Sequence, residues 1–201
     1  MVSEKKIAFI DFDGTITRKD SFLEIIKFQK GKFICYAGLL LNLPWLIGSL
    51  FSIIPNERTK EKLLTYFFAG MEEIVFQEKC DLFAKDILPG LIRPGALNEI
   101  DALRKQEFEI VVVSASATNW IKNWACQLSL KLIATTLEVK KGIITGRIAG
   151  KNCQGEQKVV CILEHWDLDK YKVIYAYGDS SGDKPMLALA TKSFYKPFRT
   201  A

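Results

Sequence analysis

The sequence predicts an α/β protein with a doubly wound parallel sheet, and three apolar runs carry that expectation. Residues 7–10, 108–113 and 171–177 are short and mainly apolar, interrupted only by Glu109 and Lys172 near the starts of the second and third, as strands covered on both faces require. Each run ends on polar residues, Asp11, Ser114 and the pair Gly178-Asp179. In the second half of the chain, segments of helical spacing separate the runs, which is the order of a sheet wound with helices on both sides. A chain of 201 residues suits one domain carrying an insertion.

The first strand leads through a turn to Asp20-Ser21, with Glu24 three residues after the serine. This capping-box spelling starts a helix that continues through Ile25, Ile26 and Phe28. Residues 57–69 and 72–88 repeat apolar side chains at helical spacing: Leu63, Leu64, Phe67 and Phe68, then Ile74, Val75, Leu82 and Phe83. Pro89-Gly90 and Pro94-Gly95 punctuate the chain. Residues 17–89 are therefore expected to be an all-helical insert, with 1–16 and 90–201 forming the sheet-bearing core. Beyond the break, 95–106 reads as a helix, 108–113 as the second strand and 117–128 as a helix in which Trp120 and Trp124, four apart, face a core. Residues 131–139 and 142–148 read as two strands joined by the hairpin signal Lys140-Lys141-Gly142. Helices over 157–166 and 183–190 flank the third apolar strand, and His165 falls at a helix end rather than in a catalytic position.

Residues 33–54 contain no Asp, Glu, Lys, Arg or His. A single membrane crossing is excluded by topology, because strands before and after the stretch must join one sheet. Pro44 divides it into halves too short to span a bilayer. Lys27, Lys30 and Lys32 precede it and Arg58, Lys60 and Lys62 follow, so both ends suit one anionic headgroup surface. Two readings stay open: a buried helical pair within the insert, or a re-entrant or interfacial hairpin dipping into lipid.

Composition narrows the chemistry. Hydrophobic residues make up 49% and charged residues 25%, which excludes disordered and fibrous classes. Cys35, Cys80, Cys126, Cys153 and Cys161 are odd in number and show no Cys-x-x-Cys spacing, as expected of reduced thiols in a cytoplasmic protein. One histidine excludes any site needing two imidazoles. The formal charge of +5 favours anionic partners, but no basic cluster interleaves with aromatics, so nucleic acid is not an expected partner. The polar start of the chain lacks the plan of a secretion signal.

Four features at or near strand ends carry chemistry. Asp11-Phe-Asp13-Gly-Thr15 places two carboxylates at i and i+2 after a buried strand, which can supply a nucleophile and a neighbouring acid/base; alone, it is also ordinary turn chemistry. Ser114 opens Ser-Ala-Ser and could equally cap the next helix. Lys158 in Gly155-Glu-Gln-Lys158 could be a solvated helix residue. Gly178-Asp179-Ser-Ser-Gly-Asp183 adds two carboxylates that could cap a turn.

Together and in this order, these four motifs resemble the haloacid dehalogenase superfamily, and its phosphoserine phosphatase-like subfamily in particular. The resemblance implies a HAD-like Rossmannoid core, with residues 17–89 as a type-1 cap, and a Mg2+-dependent phosphatase. By that likeness Asp11 is the nucleophile that forms an aspartyl-phosphate and Asp13 the general acid/base. Thr15, Ser114 and Lys158 bind the phosphoryl group, and Lys158 also supports catalysis. Asp11, Asp179 and the backbone carbonyl of Asp13 hold the metal, with Asp183 behind them. Where many phosphoserine-type members have Asn before the last acid, this chain has Gly182.

Substrate choice falls to the insert. Asp20 is placed like an acid that reads an amino group, yet also explains itself as a helix cap; Arg58 is the candidate for a carboxylate. The uncharged, Pro-broken stretch, with Cys153 before Gly155-Glu-Gln-Lys158 and with Tyr177-Gly-Asp-Ser, is similar to the phosphatidylglycerophosphatase C type of lipid phosphatase. This implies a phospholipid headgroup as substrate at the inner face of a membrane. The alternatives are a soluble phosphatase of small phosphorylated molecules and a non-catalytic membrane-associated scaffold.

Overall fold

The computed structural model describes residues 5–199; the first four, which belong to the polar start weighed above, lie outside the described residues. The backbone is a five-stranded, wholly parallel sheet in the order β3-β2-β1-β6-β7, comprising β1 (Lys6–Ile10), β2 (Phe108–Ala117), β3 (Lys131–Thr135), β6 (Val173–Gly178) and β7 (Lys192–Tyr195). Ile10 lies between Val112 and Tyr177 in register, so the carboxyl ends of β2, β1 and β6 finish side by side.

Alternation along β1 shows why its sequence is continuously apolar. Ile7 and Phe9 face one cluster with Val111, Val113, Ile162 and Met186, while Ala8 and Ile10 face another that runs into the helices between β1 and β2. All four side chains are fully buried, as a strand sandwiched between two layers demands.

Between β1 and β2 run α1 (Ser21–Lys30), α2 (Lys32–Leu41), α3 (Leu43–Leu50), α4 (Asn56–Phe68) and α5 (Glu73–Asp86), followed by α6 (Pro94–Lys105). The start of α1 departs from the expected capping box. Asp20 is the cap, its carboxylate accepting from the Leu23 N–H at 3.0 Å, while Glu24 pairs with Lys27 at 2.8 Å. Ser21 is thereby released for a buried role described below. Trp120 and Trp124, on α7 (Thr118–Gln127), are buried as expected.

The uncharged stretch is not the buried helical pair that was one of its two readings. Proline in the first turn of α3 needs no N–H partner there, and α2 and α3 meet at a 66° bend. Phe33 is 85% exposed and Leu50 79%, with Leu40, Leu41, Phe51 and Ile53 also uncovered; Cys35, Gly38 and Gly48 are buried. Among the described residues no single helix is long and apolar enough to cross a membrane, whereas this bent pair reaches the length and composition jointly.

Two strand assignments need correction. The apolar run over 131–139 splits: β3 joins the main sheet, and only β4 (Leu137–Lys140) forms the antiparallel hairpin with β5 (Ile143–Ile148). That hairpin leans on the helical insert. The Met71 carbonyl accepts from Ile144 N–H at 2.9 Å, and Gly146, at φ +81°, lies so close to α4 that a Cβ there would stand 2.3 Å from the Thr65 Cα. The edge strand β7 was not anticipated at all. It is four residues long, and Phe194 stacks on Tyr177 with centroids 4.5 Å apart.

Candidate active site

Asp11 sits one residue beyond β1, its backbone N–H still bonded to the Tyr177 carbonyl at 2.9 Å. The chain then turns through Gly14 at φ +82°, and this turn needs glycine twice over: for the left-handed backbone and for space. A Cβ on Gly14 would lie 2.5 Å from Asp179 Oδ2, so the missing side chain is what lets the carboxylate after β6 close over the turn after β1. Thr15 donates to Asp11 Oδ2 at 3.0 Å and fixes the carboxylate plane.

Lys158 reaches the same place from α8 (Glu156–His165) and is 2% exposed. Its ammonium donates at 2.6 Å to Asp11 Oδ1, at 2.6 Å to Asp183 Oδ1 and at 3.0 Å to the Val113 carbonyl. All three donor positions are thus matched. The other oxygen of Asp183 accepts from Asp179 N–H, Ser180 N–H and Ser180 Oγ. Asp183 thus orients Lys158 and ties the loop after β6 to it.

Burial and charge pull against each other here. Removal from water pushes the Asp11 carboxyl up to about 7, with Lys158 beside it opposing only in part. Burial alone would depress the lysine, but Asp11 and Asp183 push it above its ordinary value. Asp11, Asp179 and Asp183 present carboxylate oxygens all within 4.8 Å of one another. An all-oxygen set of this kind suits a hard divalent cation, whose charge would favour the ionised form of Asp11 further. Asp179 also receives Arg199 at 2.7 Å.

Asp13 turns the other way. Its Oδ1 accepts from Ser21 N–H and its Oδ2 from Ser116 Oγ, each at 2.6 Å; Ser21 Oγ in turn meets Ser116 Oγ at 3.1 Å and accepts from Trp120 Nε1 at 3.0 Å. Its carboxylate therefore does not join the acidic cluster. Burial, aided by the charge of Asp20, raises Asp13 to about 6, which suits a group that must give and take a proton near neutrality.

Asp11, Asp13, Lys158, Asp179 and Asp183 line one cavity of about 200 Å³, and Asp20 stands at its edge. Asp20 thus both caps α1 and faces the cavity. Ser114 is buried, and its hydroxyl accepts from Ser116 N–H at 3.0 Å. The β2–β3 register shifts between Ser114 and Ala117, and the cavity is walled by Ala115 while Ser114 braces the turn. Gly182 lies against Gln154, whose Cγ would be 3.3 Å from a Cβ at 182.

Arg58 is not at this cavity. It lines a separate cleft on the far side of α4. The basic residue that does approach is Lys60, through an adjoining space of about 270 Å³ shared with Asp13 and Asp20. Its ammonium donates to the Ala115 carbonyl and, at 3.0 Å, to Asn152 Oδ1, and burial lowers it to about 8. Ser21, Ser116, Lys60 and Asn152 were not expected from the sequence. For Ser116 the signal was present in Ser-Ala-Ser; for Lys60 it was hidden in a basic flank.

Residues 8–188 match the family model of haloacid dehalogenase-like hydrolases. The chain belongs to that family. Protein CicA of Caulobacter vibrioides is 33% identical to it over 205 residues, covering 99% of this chain and 89% of the relative. Among solved structures, a Bordetella pertussis protein described as of unknown function superposes with a TM-score of 0.82 at 20% identity, covering 95% of this chain and 89% of the other. A substrate-bound phosphoserine phosphatase superposes with a TM-score of 0.72 at 19% identity, covering 96% and 86%. At such identities these structures establish the shared fold of this hydrolase family.

Proposed function

We propose that this chain is a Mg2+-dependent phosphatase of the haloacid dehalogenase-like family, that it hydrolyses a phosphate monoester through an aspartyl-phosphate, and that a phospholipid headgroup at a bilayer surface is its substrate class. The observation that carries the catalytic reading is the convergence of Asp11, Asp13, Lys158 and Asp179 on one cavity from four separated segments.

Asp11 is the group to attack phosphorus, since its carboxylate is held by Thr15 and Lys158 at the cavity floor. Asp13 donates a proton to the leaving oxygen and later accepts one from water, its carboxyl steadied by Ser21 and Ser116. Lys158 stabilises charge on the phosphoryl oxygens, and Ser114, which the resemblance makes a ligand of the same oxygens, braces the turn that puts Ala115 in the cavity wall. Asp11, Asp179 and the Asp13 carbonyl would hold Mg2+, which when bound neutralises carboxylate and phosphoryl charge. Asp183 keeps Lys158 in place from behind. Residues 17–89 serve as the cap that selects the leaving group.

The lipid part rests on the exposed apolar surface of α2 and α3 beside a cap that carries Lys27, Lys30 and Lys62. A second reading, a phosphatase of small phosphorylated metabolites, is favoured by Asp20, which offers an acid to an amino-bearing leaving group from the cavity edge. Hydrolysis of para-nitrophenyl phosphate with Mg2+, lost in Asp11→Asn, tests the chemistry. Failure of the parent to turn over would leave the scaffold alternative. A panel of phosphatidylglycerophosphate, lysophosphatidate and phosphoserine decides between the substrate classes; equal or better turnover of phosphoserine would overturn the lipid reading.

A further inference from the structure

Arg58, expected at the substrate, lies instead in a cleft of about 530 Å³ formed by α3, α4 and the β4–β5 hairpin. The spacing along α4 explains the division. Asn56, Thr59, Lys60 and Leu63, at i, i+3, i+4 and i+7, face the space beside Asp13, whereas Arg58, Glu61, Lys62 and Thr65, with the same spacing two residues on, face the cleft. One helix therefore separates the catalytic cavity from a second recess.

Three cations, Arg58, Lys62 and Arg147, meet two carboxylates there. Glu61 accepts from Ile148 N–H at 2.9 Å, and Glu138 accepts from Thr145 Oγ1 at 2.8 Å, pairs with Lys140 at 3.0 Å and feels the charge of Arg147, so the cations still outnumber the acids around the recess. Thr65, Ile148 and Trp45 complete the lining; Trp45 belongs to the apolar helix α3, and its ring centroid lies 5.8 Å from the Lys62 ammonium. On the same helix Leu43, Ile47 and Leu50 are exposed. One side of α3 is thus uncovered apolar surface while the other, through Trp45, walls the cationic cleft, and tryptophan is the residue suited to the headgroup level of a bilayer.

We infer that this cleft is a second, non-catalytic site that seats the phosphate of an anionic phospholipid in a bilayer, through Arg58, Lys62 and Arg147, while α2 and α3 enter the adjacent acyl region. The inference rests on the membrane-facing reading above and deepens it, because it fixes which residues touch lipid and on which side of α4.

Vesicles of phosphatidylcholine, with and without phosphatidylglycerol, test this by co-sedimentation. The parent pellets with the anionic vesicles only. The combined variant Arg58→Gln, Lys62→Gln and Arg147→Gln binds them about 100-fold more weakly, from roughly tenfold or less per basic residue at the surface, and hydrolyses para-nitrophenyl phosphate like the parent. A control removing Lys105, Lys170 and Lys192 elsewhere keeps its binding. Undiminished binding by the first variant overturns the site, as does an equal loss in the control, binding to neutral vesicles alone, or displacement by inorganic phosphate at matched concentration. Should the parent cleave no phosphate ester, the catalytic reading fails, yet sedimentation still decides the lipid site, since it reads binding alone.

Discussion

The carboxyl ends of the sheet and the α2–α3 hairpin are opposite departures from ordinary globular design. At the sheet, charged side chains are buried: Lys158 and Asp183 are each 2% exposed. At the hairpin, large apolar side chains face outward. A protein optimised for stability alone would reverse both placements. Buried ions need partners to offset lost hydration, and here every oxygen of Asp183 and every donor of Lys158 has one. The hairpin has no comparable internal compensation, so its surface points to something outside the chain. The first region is closed on itself and the second is not.

That contrast can be broken at several strengths. The largest effect falls on Asp11→Asn, which should lower para-nitrophenyl phosphate turnover by about 10⁴-fold or more while circular dichroism stays unchanged; activity within tenfold of the parent, a loss of about 1.4 kcal/mol or less, would remove Asp11 from the nucleophile role. Next is Lys158→Met, which strands Asp11 and Asp183 without a cation. Removing one partner of a buried ion set costs about 3–5 kcal/mol, so melting should fall by roughly 10 °C. A variant that melts with the parent would show that the network is not holding buried charge.

Smaller effects test the other regions. Glu109, at the amino end of β2, is partly buried, which would raise it, but Lys131, Trp166 and Tyr171 hold it below the ordinary carboxylate value. Its contribution is present at neutral pH and is lost as pH falls through that lowered value. The melting difference between parent and Glu109→Gln should therefore be seen at pH 7 and close under acid; a gap that widens on acidification contradicts this. Smallest of all, Phe33→Ser with Leu50→Ser should change stability by no more than about 0.5 kcal/mol while weakening vesicle binding. A loss approaching the several kcal/mol of a core truncation would mean that these side chains are covered within the molecule.

The carboxylates gathered at the cavity were legible because strand ends announce themselves: a mainly apolar run followed by Asp or Gly-Asp marks where a buried backbone reaches the surface, whereas Lys158, on a helix, stood out only through its place in the motif order. The helices were legible wherever one face is apolar. What the sequence hid depends on tertiary neighbours. Lys60 and Arg58 stand two apart in the polar, mixed-charge run 56–62, and only the rotation of α4 decides which meets the cavity. The short strand β7 carries no strong local signal; it exists because Phe194 packs on Tyr177 and the β6 edge is available. The split of 131–139 follows from β2, whose irregular end fixes where β3 must stop.

Thr17 and Ile92 pair as an antiparallel bridge, flanked by Arg18 N–H to the Leu91 carbonyl at 2.8 Å and Arg93 N–H to the Ile16 carbonyl at 2.8 Å. Outgoing and returning chain thus share a single doorway a few residues beyond Asp11 and Asp13. Beyond the start of α1, where Ser21 holds Asp13, the insert can be lengthened, shortened or exchanged in descent without altering the register of β1 against β2.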